Sequence, residues 1–292
     1  MHATGPDAGL TPSFRSPPHG CDSHFHVFGP AEKYADGSDL RYQPPLAPLA
    51  DYLELHAALG LERMVFAQPS AYGLDNSCML DAMREVGAAR CRGVVDLDET
   101  TISRAELASM DRLGVRGIRV NVSPIKRHEA GLAERMAPRI ERLGRLAEGL
   151  GWHLDFLTPG WLVTELMPTL LQLRVPYTIA HLGIYPAQDG AEQPGFQTFL
   201  DFVRNRTDRA WVKLTGAYRI SQAPGLADVA PMARALFAAI PDRLIWGSDY
   251  PHLSFADRVG SIQLWNLLGE WAPDDAARRS ILADNPARFF GF

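Results

Sequence analysis

The segment Cys21-Asp22-Ser23-His24-Phe25-His26-Val27-Phe28-Gly29 sets two imidazoles two residues apart inside an apolar run. Residues two apart in a strand share a face, so His24 and His26 are expected to project together, opposite Phe25 and Val27. A third imidazole, His181, follows Ile179-Ala180, and Asp249 closes Ile245-Trp246-Gly247-Ser248 just before Tyr250 and Pro251. Taken singly, a packed histidine pair, a capping histidine and a turn aspartate would account for them. Together they form a hydrolytic constellation, in which titratable groups gather where chemistry needs them.

A second group is cationic. Arg119 and Asn121 alternate along Arg116-Gly117-Ile118-Arg119-Val120-Asn121, so both face one way. A guanidinium inside a β-branched run is costly without an anion; a substrate carboxylate or an internal salt bridge would satisfy it. Arg127, in Lys126-Arg127-His128, and Arg219, in Ala217-Tyr218-Arg219, follow strands and extend the group. Arginine suits bidentate recognition of carboxylates, although loop arginines are often merely solvated. Tyr42 and Ser70 offer hydroxyls to a substrate oxygen, or serve as turn and packing residues. Glycine-rich phosphate loops, paired CxxC cysteines and GxSxG elbows are absent from the sequence.

Something must bring these scattered residues together. Short runs rich in Val, Ile and Phe recur at Cys21–Phe28, Arg63–Pro69, Cys91–Leu97, Val115–Val122, Trp152–Thr158, Tyr177–Gly183, Ala210–Gly216 and Leu244–Tyr250. Stripes at helical spacing lie between them, such as Leu132, Met136, Ile140, Leu143, Leu146 and Leu150. Strands that alternate with helices pair in parallel through crossovers. Closing eight such units predicts a single (β/α)8 TIM-type barrel over residues 21–292, with no linker to divide it. Residues 1–20, rich in Pro, Gly and Ser, read as a mobile, disordered arm. Barrel chemistry collects at the C-terminal ends of strands, and that is where these polar residues fall.

Composition narrows the function classes. The 292 residues carry a formal charge of −5, which argues against nucleic-acid or anionic-membrane partners. A local arginine cluster can still reverse the field for a small anionic substrate. No apolar stretch approaches the roughly 20 residues that span a bilayer, and the opening residues lack the form of a secretory signal. Three scattered cysteines make no disulfide framework and point to a reducing cytoplasm. A monomer or small homo-oligomer is expected.

The motifs CDSHFHVFGP, FAQPSAYGLDN, RGIRVN, AHLG, WGSDYPH and DNPARFFGF resemble the amidohydrolase-2 branch of the amidohydrolase superfamily. Within it they are most similar to the 2-pyrone-4,6-dicarboxylate lactonase group. The resemblance runs from about Cys21 to Phe292. It implies hydrolytic opening of a carboxylated pyrone or muconolactone-type lactone in aromatic-compound catabolism. By position, Asp249 would activate water, and His24, His26 and His181 would surround the scissile carbonyl. Arg119, Arg127, Arg219, Tyr42, Ser70 and Asn121 would bind substrate. Many relatives in the superfamily hold metal, but the fourth strand here offers Arg119 and Asn121 instead of a bridging Lys, and His153 lies early in its strand. A reaction without cofactor is expected; the alternative is a single zinc at His24, His26, His181 and Asp249, a sufficient ligand count, as in metal-dependent decarboxylases of the branch. Leu157 stands near a tyrosine position of the dicarboxylate lactonases, which points to another acidic lactone, such as a sulfo- or monocarboxylated muconolactone.

Overall fold

The computed structural model describes residues 6–37, 42–272 and 274–292. Eight strands run in chain order: β1 (Cys21–Phe25), β2 (Arg63–Ala67), β3 (Cys91–Val95), β4 (Val115–Asn121), β5 (His153–Leu157), β6 (Tyr177–Ile179), β7 (Ala210–Leu214) and β8 (Leu244–Trp246). Each is followed by a helix: α1 (Leu49–Ala58), α2 (Ser77–Val86), α3 (Arg104–Leu113), α4 (Leu132–Leu150), α5 (Gly160–Gln172), α6 (Pro194–Asp201), α7 (Ala230–Ala239) and α8 (Ser261–Trp271). Neighbouring strands pair in parallel in the order β1 to β8, so the expected (β/α)8 barrel is observed. The strands are buried on both faces, which is why they read as continuous apolar runs and not as alternating ones.

The strands end one to four residues earlier than the apolar runs suggested. Beyond their last ladder bonds the chain turns through left-handed backbone at His181 (φ 52°) and Asp249 (φ 55°). Such conformations are costly for residues with a side chain and cluster where geometry is imposed by function.

No ladder joins β8 to β1; a seam closes the barrel there. Asp249 N–H donates to the His24 carbonyl at 2.8 Å, and His26 N–H donates to the Tyr250 carbonyl at 2.8 Å. The buried Asp22 carboxylate accepts from Ser248 N–H (3.0 Å), Ser248 Oγ (2.6 Å) and Tyr52 OH (3.0 Å). Gly247 permits this approach, since a Cβ there would stand 2.6 Å from His24 N. The seam therefore brings the first and last site segments side by side.

The opposite end is plugged. Two short helices, α9 (Asp275–Arg279) and α10 (Asn285–Phe290), lead the C-terminus beneath the barrel, where Phe290 packs with Val65, Val94 and Ile245. His153 meets Phe289 and Phe290 there, with ring centroids 4.6 and 5.4 Å away, far from the mouth.

Of the arm, residues 7–14 make contacts with the barrel, while residues 1–5 lie outside the described residues. The Asp7 carboxylate accepts the backbone N–H groups of Ile262 and Gln263, each at 3.0 Å, and so supplies the cap that Gly260 cannot. Phe14 stacks on Trp265 with centroids 4.4 Å apart. Composition alone does not reveal such anchoring, because the receiving surface lies some 250 residues away. Asp7→Ala is expected to lower stability by about 0.5–2 kcal/mol, read from urea unfolding. Among the described residues no helix is long and apolar enough to cross a membrane.

Candidate active site

Asp249 sits at the centre of the mouth, buried to 1% exposure. Its Oδ1 lies 3.5 Å from His24 Nε2 and 3.5 Å from His26 Nε2. Its Oδ2 accepts from Tyr218 OH at 2.5 Å and from Arg219 Nε at 3.0 Å, with His181 Nε2 at 3.9 Å. Burial alone would push the carboxyl up, but the Arg219 guanidinium 3.0 Å away outweighs it and holds the group well below the usual carboxylate range. Asp249 is thus an anion at neutral pH.

The imidazoles are neutral, because burial lowers all three; His181 falls to about 3. Their second nitrogens distinguish them. His26 Nδ1 lies 2.7 Å from the Ala67 carbonyl, which only accepts, so Nδ1 donates and Nε2 faces the site as an acceptor. Thr215 Oγ1 accepts the His181 backbone N–H at 3.3 Å and stands 2.8 Å from Nδ1. Its hydroxyl can still give or take a proton at Nδ1; given to Nδ1, it leaves the His181 proton on Nε2, facing the site. Gly216 makes room for this ring, as a Cβ there would meet His181 Nδ1 at 2.4 Å.

A cavity of about 270 Å³ opens above these groups. His26, His181, Asp249, Arg119, Asn121, Arg219, Tyr42 and Ser70 line it, joined by Leu157, Leu253, Phe255 and Ile125. Arg119 is 3% exposed and donates to the Gln68 carbonyl at 2.6 Å. Its buried Nε has no hydrogen-bond partner, and among the described residues it makes no ion pair within 4.0 Å. The internal salt bridge considered for it is not observed. Asn121 Oδ1, two residues on, is likewise buried and without a partner.

Two expected residues fall elsewhere. His24 is fully buried and lies under the cavity instead of lining it, because β1 ends at Phe25 and only His26 reaches the rim. Arg127 is exposed on the loop after β4 and is not part of the wall, which this loop leaves after Ile125. Arg127→Ala is therefore expected to change ligand affinity by less than about 0.5 kcal/mol, checked by titration calorimetry.

Sequence reasoning missed three residues. Lys213 and Asp155 are fully buried in the barrel, their Nζ and Oδ1 2.7 Å apart, and Lys213 Nζ also stands 3.1 Å from His24 Nδ1. Burial would raise the Asp155 carboxyl, but Lys213, with His24 and Arg119, more than reverses this and keeps it ionised. A charge in the middle of Ala210-Trp211-Val212-Lys213-Leu214, and another in His153-Leu154-Asp155-Phe156-Leu157, was the available signal. Tyr218, on Asp249, gave none beyond its place beside Arg219.

Ligand atoms of His24, His26 and Asp249 lie within 4.8 Å of one another, a grouping able to hold an ion by distance alone. The hydrogen bonding of His24 opposes it. An ammonium donates and cannot accept, so His24 Nδ1 receives from Lys213 and Nε2 must keep the ring proton. A divalent ion needs that nitrogen bare. The donor set does not fit a metal at His24.

An amidohydrolase family model matches residues 21–292, and the chain belongs to this family. It is 37% identical to a 4-sulfomuconolactone hydrolase of Hydrogenophaga intermedia, over 98% of this chain and 94% of that protein. It is 31% identical to a 2-pyrone-4,6-dicarboxylate hydrolase of Comamonas testosteroni, over 96% and 92%. A crystal structure from Pseudomonas putida, of a candidate 2-pyrone-4,6-dicarboxylic acid hydrolase, superposes with a TM-score of 0.80 at 33% identity, covering 94% of this chain and 97% of that one.

Proposed function

We propose that the protein hydrolyses a lactone that bears a carboxylate or sulfonate, of the pyrone or muconolactone type met in aromatic-compound breakdown. One observation carries this reading: a buried guanidinium without a carboxylate partner among the described residues, Arg119, shares a cavity with an ionised carboxylate, Asp249. The first calls for an anion on the ligand; the second is a base at the reacting centre. The kinship with two lactone hydrolases supports the substrate class.

The steps follow from the hydrogen-bonding roles. Water donates one proton to Asp249 Oδ1 and the other to His26 Nε2, the two acceptors 3.5 Å apart. As its oxygen bonds to the lactone carbonyl carbon, Asp249 takes a proton. The carbonyl π electrons become an oxyanion, which the His181 Nε2–H and the Arg219 guanidinium stabilise. Collapse breaks the acyl carbon–oxygen bond, and the ring oxygen leaves with the proton held by Asp249. Arg119, assisted by Asn121, anchors the substrate acid group and fixes the ring over Asp249. Leu157, on the cavity wall, offers no hydroxyl, which favours a sulfonated or singly carboxylated ring over a dicarboxylate. The reaction proceeds without cofactor, in a cytoplasm where the three buried cysteines stay reduced.

Turnover of an acidic lactone in ¹⁸O-water tests the reaction type. Hydrolysis places one ¹⁸O in the new carboxylate without loss of carbon dioxide. Isomerisation without label, or release of carbon dioxide, would refute the reading.

A further inference from the structure

The mechanism above makes no use of Lys213 and Asp155, although both side chains are fully buried in the barrel. Such a pair adds little net stability, since apolar residues of similar volume commonly serve as well or better. The third partner gives it a purpose. Thr178 Oγ1 donates to the same Asp155 oxygen that receives Lys213, so the carboxylate is held from two sides. Lys213 then directs another proton at His24 Nδ1, 3.1 Å away. Which imidazole nitrogen carries the proton is set by the hydrogen bond made at the other. His24 Nε2–H in turn faces Asp249 Oδ1 at 3.5 Å.

A buried hydrogen-bonded series, Asp155–Lys213–His24, therefore runs from the barrel interior and ends 3.5 Å from Asp249 Oδ1. We infer that Lys213 is a positioning residue for the proposed hydrolysis: it fixes the ring proton of His24 on Nε2, where it steadies Asp249 and bars a divalent cation. His26, bonded at Nδ1 to the Ala67 carbonyl, holds the opposite tautomer. One imidazole thus turns its N–H toward Asp249 Oδ1, 3.5 Å away and without a hydrogen-bond partner, while its neighbour stays an acceptor toward water. The positioning role rests on Asp249 as base; the tautomer does not.

A long-range ¹H–¹⁵N spectrum of ¹⁵N-histidine protein tests this, with the His24 signals assigned from a His24→Asn variant. The expected spectrum shows His24 neutral, with Nε2 protonated and Nδ1 bare. A wild-type ring protonated on Nδ1, or on both nitrogens, overturns the inference. So does stoichiometric zinc that displaces the Nε2 proton when titrated into the wild type.

The double variant Lys213→Met/Asp155→Leu removes both charges together, and with them the partners of Thr178 Oγ1 and His24 Nδ1. It is expected to lose the Nε2 preference, to lower kcat about 10-fold or more with KM little changed, and to bind zinc about 10-fold more tightly by calorimetry. A folded double variant that keeps the proton on Nε2, or one that loses it and retains kcat, is the contrary result. Should the variant not fold, the wild-type spectrum still decides. That spectrum needs no substrate, so its failure is distinct from failure of the hydrolase reading.

Discussion

Replacing Asp249 by Asn is expected to reduce kcat by about 10²–10⁴-fold, while the affinity for a non-hydrolysable acidic analogue stays nearly unchanged. The amide oxygen can still accept from Tyr218 OH and Arg219 Nε, which hold the carboxylate at 2.5 and 3.0 Å. The side chain therefore keeps its place, and only the capacity to take a proton is lost. Stopped UV assays give kcat, and calorimetry with the analogue gives affinity. A variant that turns over at the wild-type rate would remove Asp249 from its role.

The pH dependence has a definite sign. Asp249 is depressed below its usual value, so it remains ionised as pH falls from 8 to about 5. His181, lowered to about 3 by burial, stays neutral over the same interval, and burial also holds His24 well below its usual value. Asp249, His24 and His181 thus predict no acid limb in kcat/KM across that range. The stability that Asp249 contributes is present above the unfolded carboxyl value near 3.9 and disappears only as pH falls through the lower folded value.

Arg119→Met is expected to cost about 2 kcal/mol or more in kcat/KM for an anionic lactone, on the order of 30-fold or greater. Its buried Nε has no hydrogen-bond partner among the described residues, which is the basis for assigning it the ligand anion. Methionine fills much of the same volume without the charge, and the Gln68 carbonyl loses one donor. For an uncharged lactone the variant should lose far less, or gain, because the wild type must then leave a desolvated guanidinium unpaired. Comparing the two substrates on the two proteins isolates the charge term from any general loss of packing. Equal losses for both substrates would count against anion recognition by Arg119.

The sequence was most informative where burial and periodicity act locally. The β-strands are covered on both faces, so apolar runs such as Arg63–Ala67 and Cys91–Val95 mark them directly. His26, His181 and Asp249 were legible because they interrupt such runs at their ends. Lys213 and Asp155 were harder to read, since each needs the other to be tolerable and they lie on different strands. The demotion of His24 to the layer beneath the cavity depends on where β1 stops, a matter of one or two residues. Arg127 and Arg219 looked alike as loop arginines; only the path of each loop separates an exposed cation from the partner of Asp249. Asp7 marks the same limit, because its partners begin at Ile262.

The account rests on an ionised Asp249 that acts on a lactone held by its own acid group. The most direct measurement is kcat/KM, by UV absorbance on chelator-treated protein, for an acidic lactone and its uncharged ester. The account predicts rapid opening of the acid, little of the ester, and no gain from added zinc. Comparable rates on both, or activity that appears only with zinc, would contradict it.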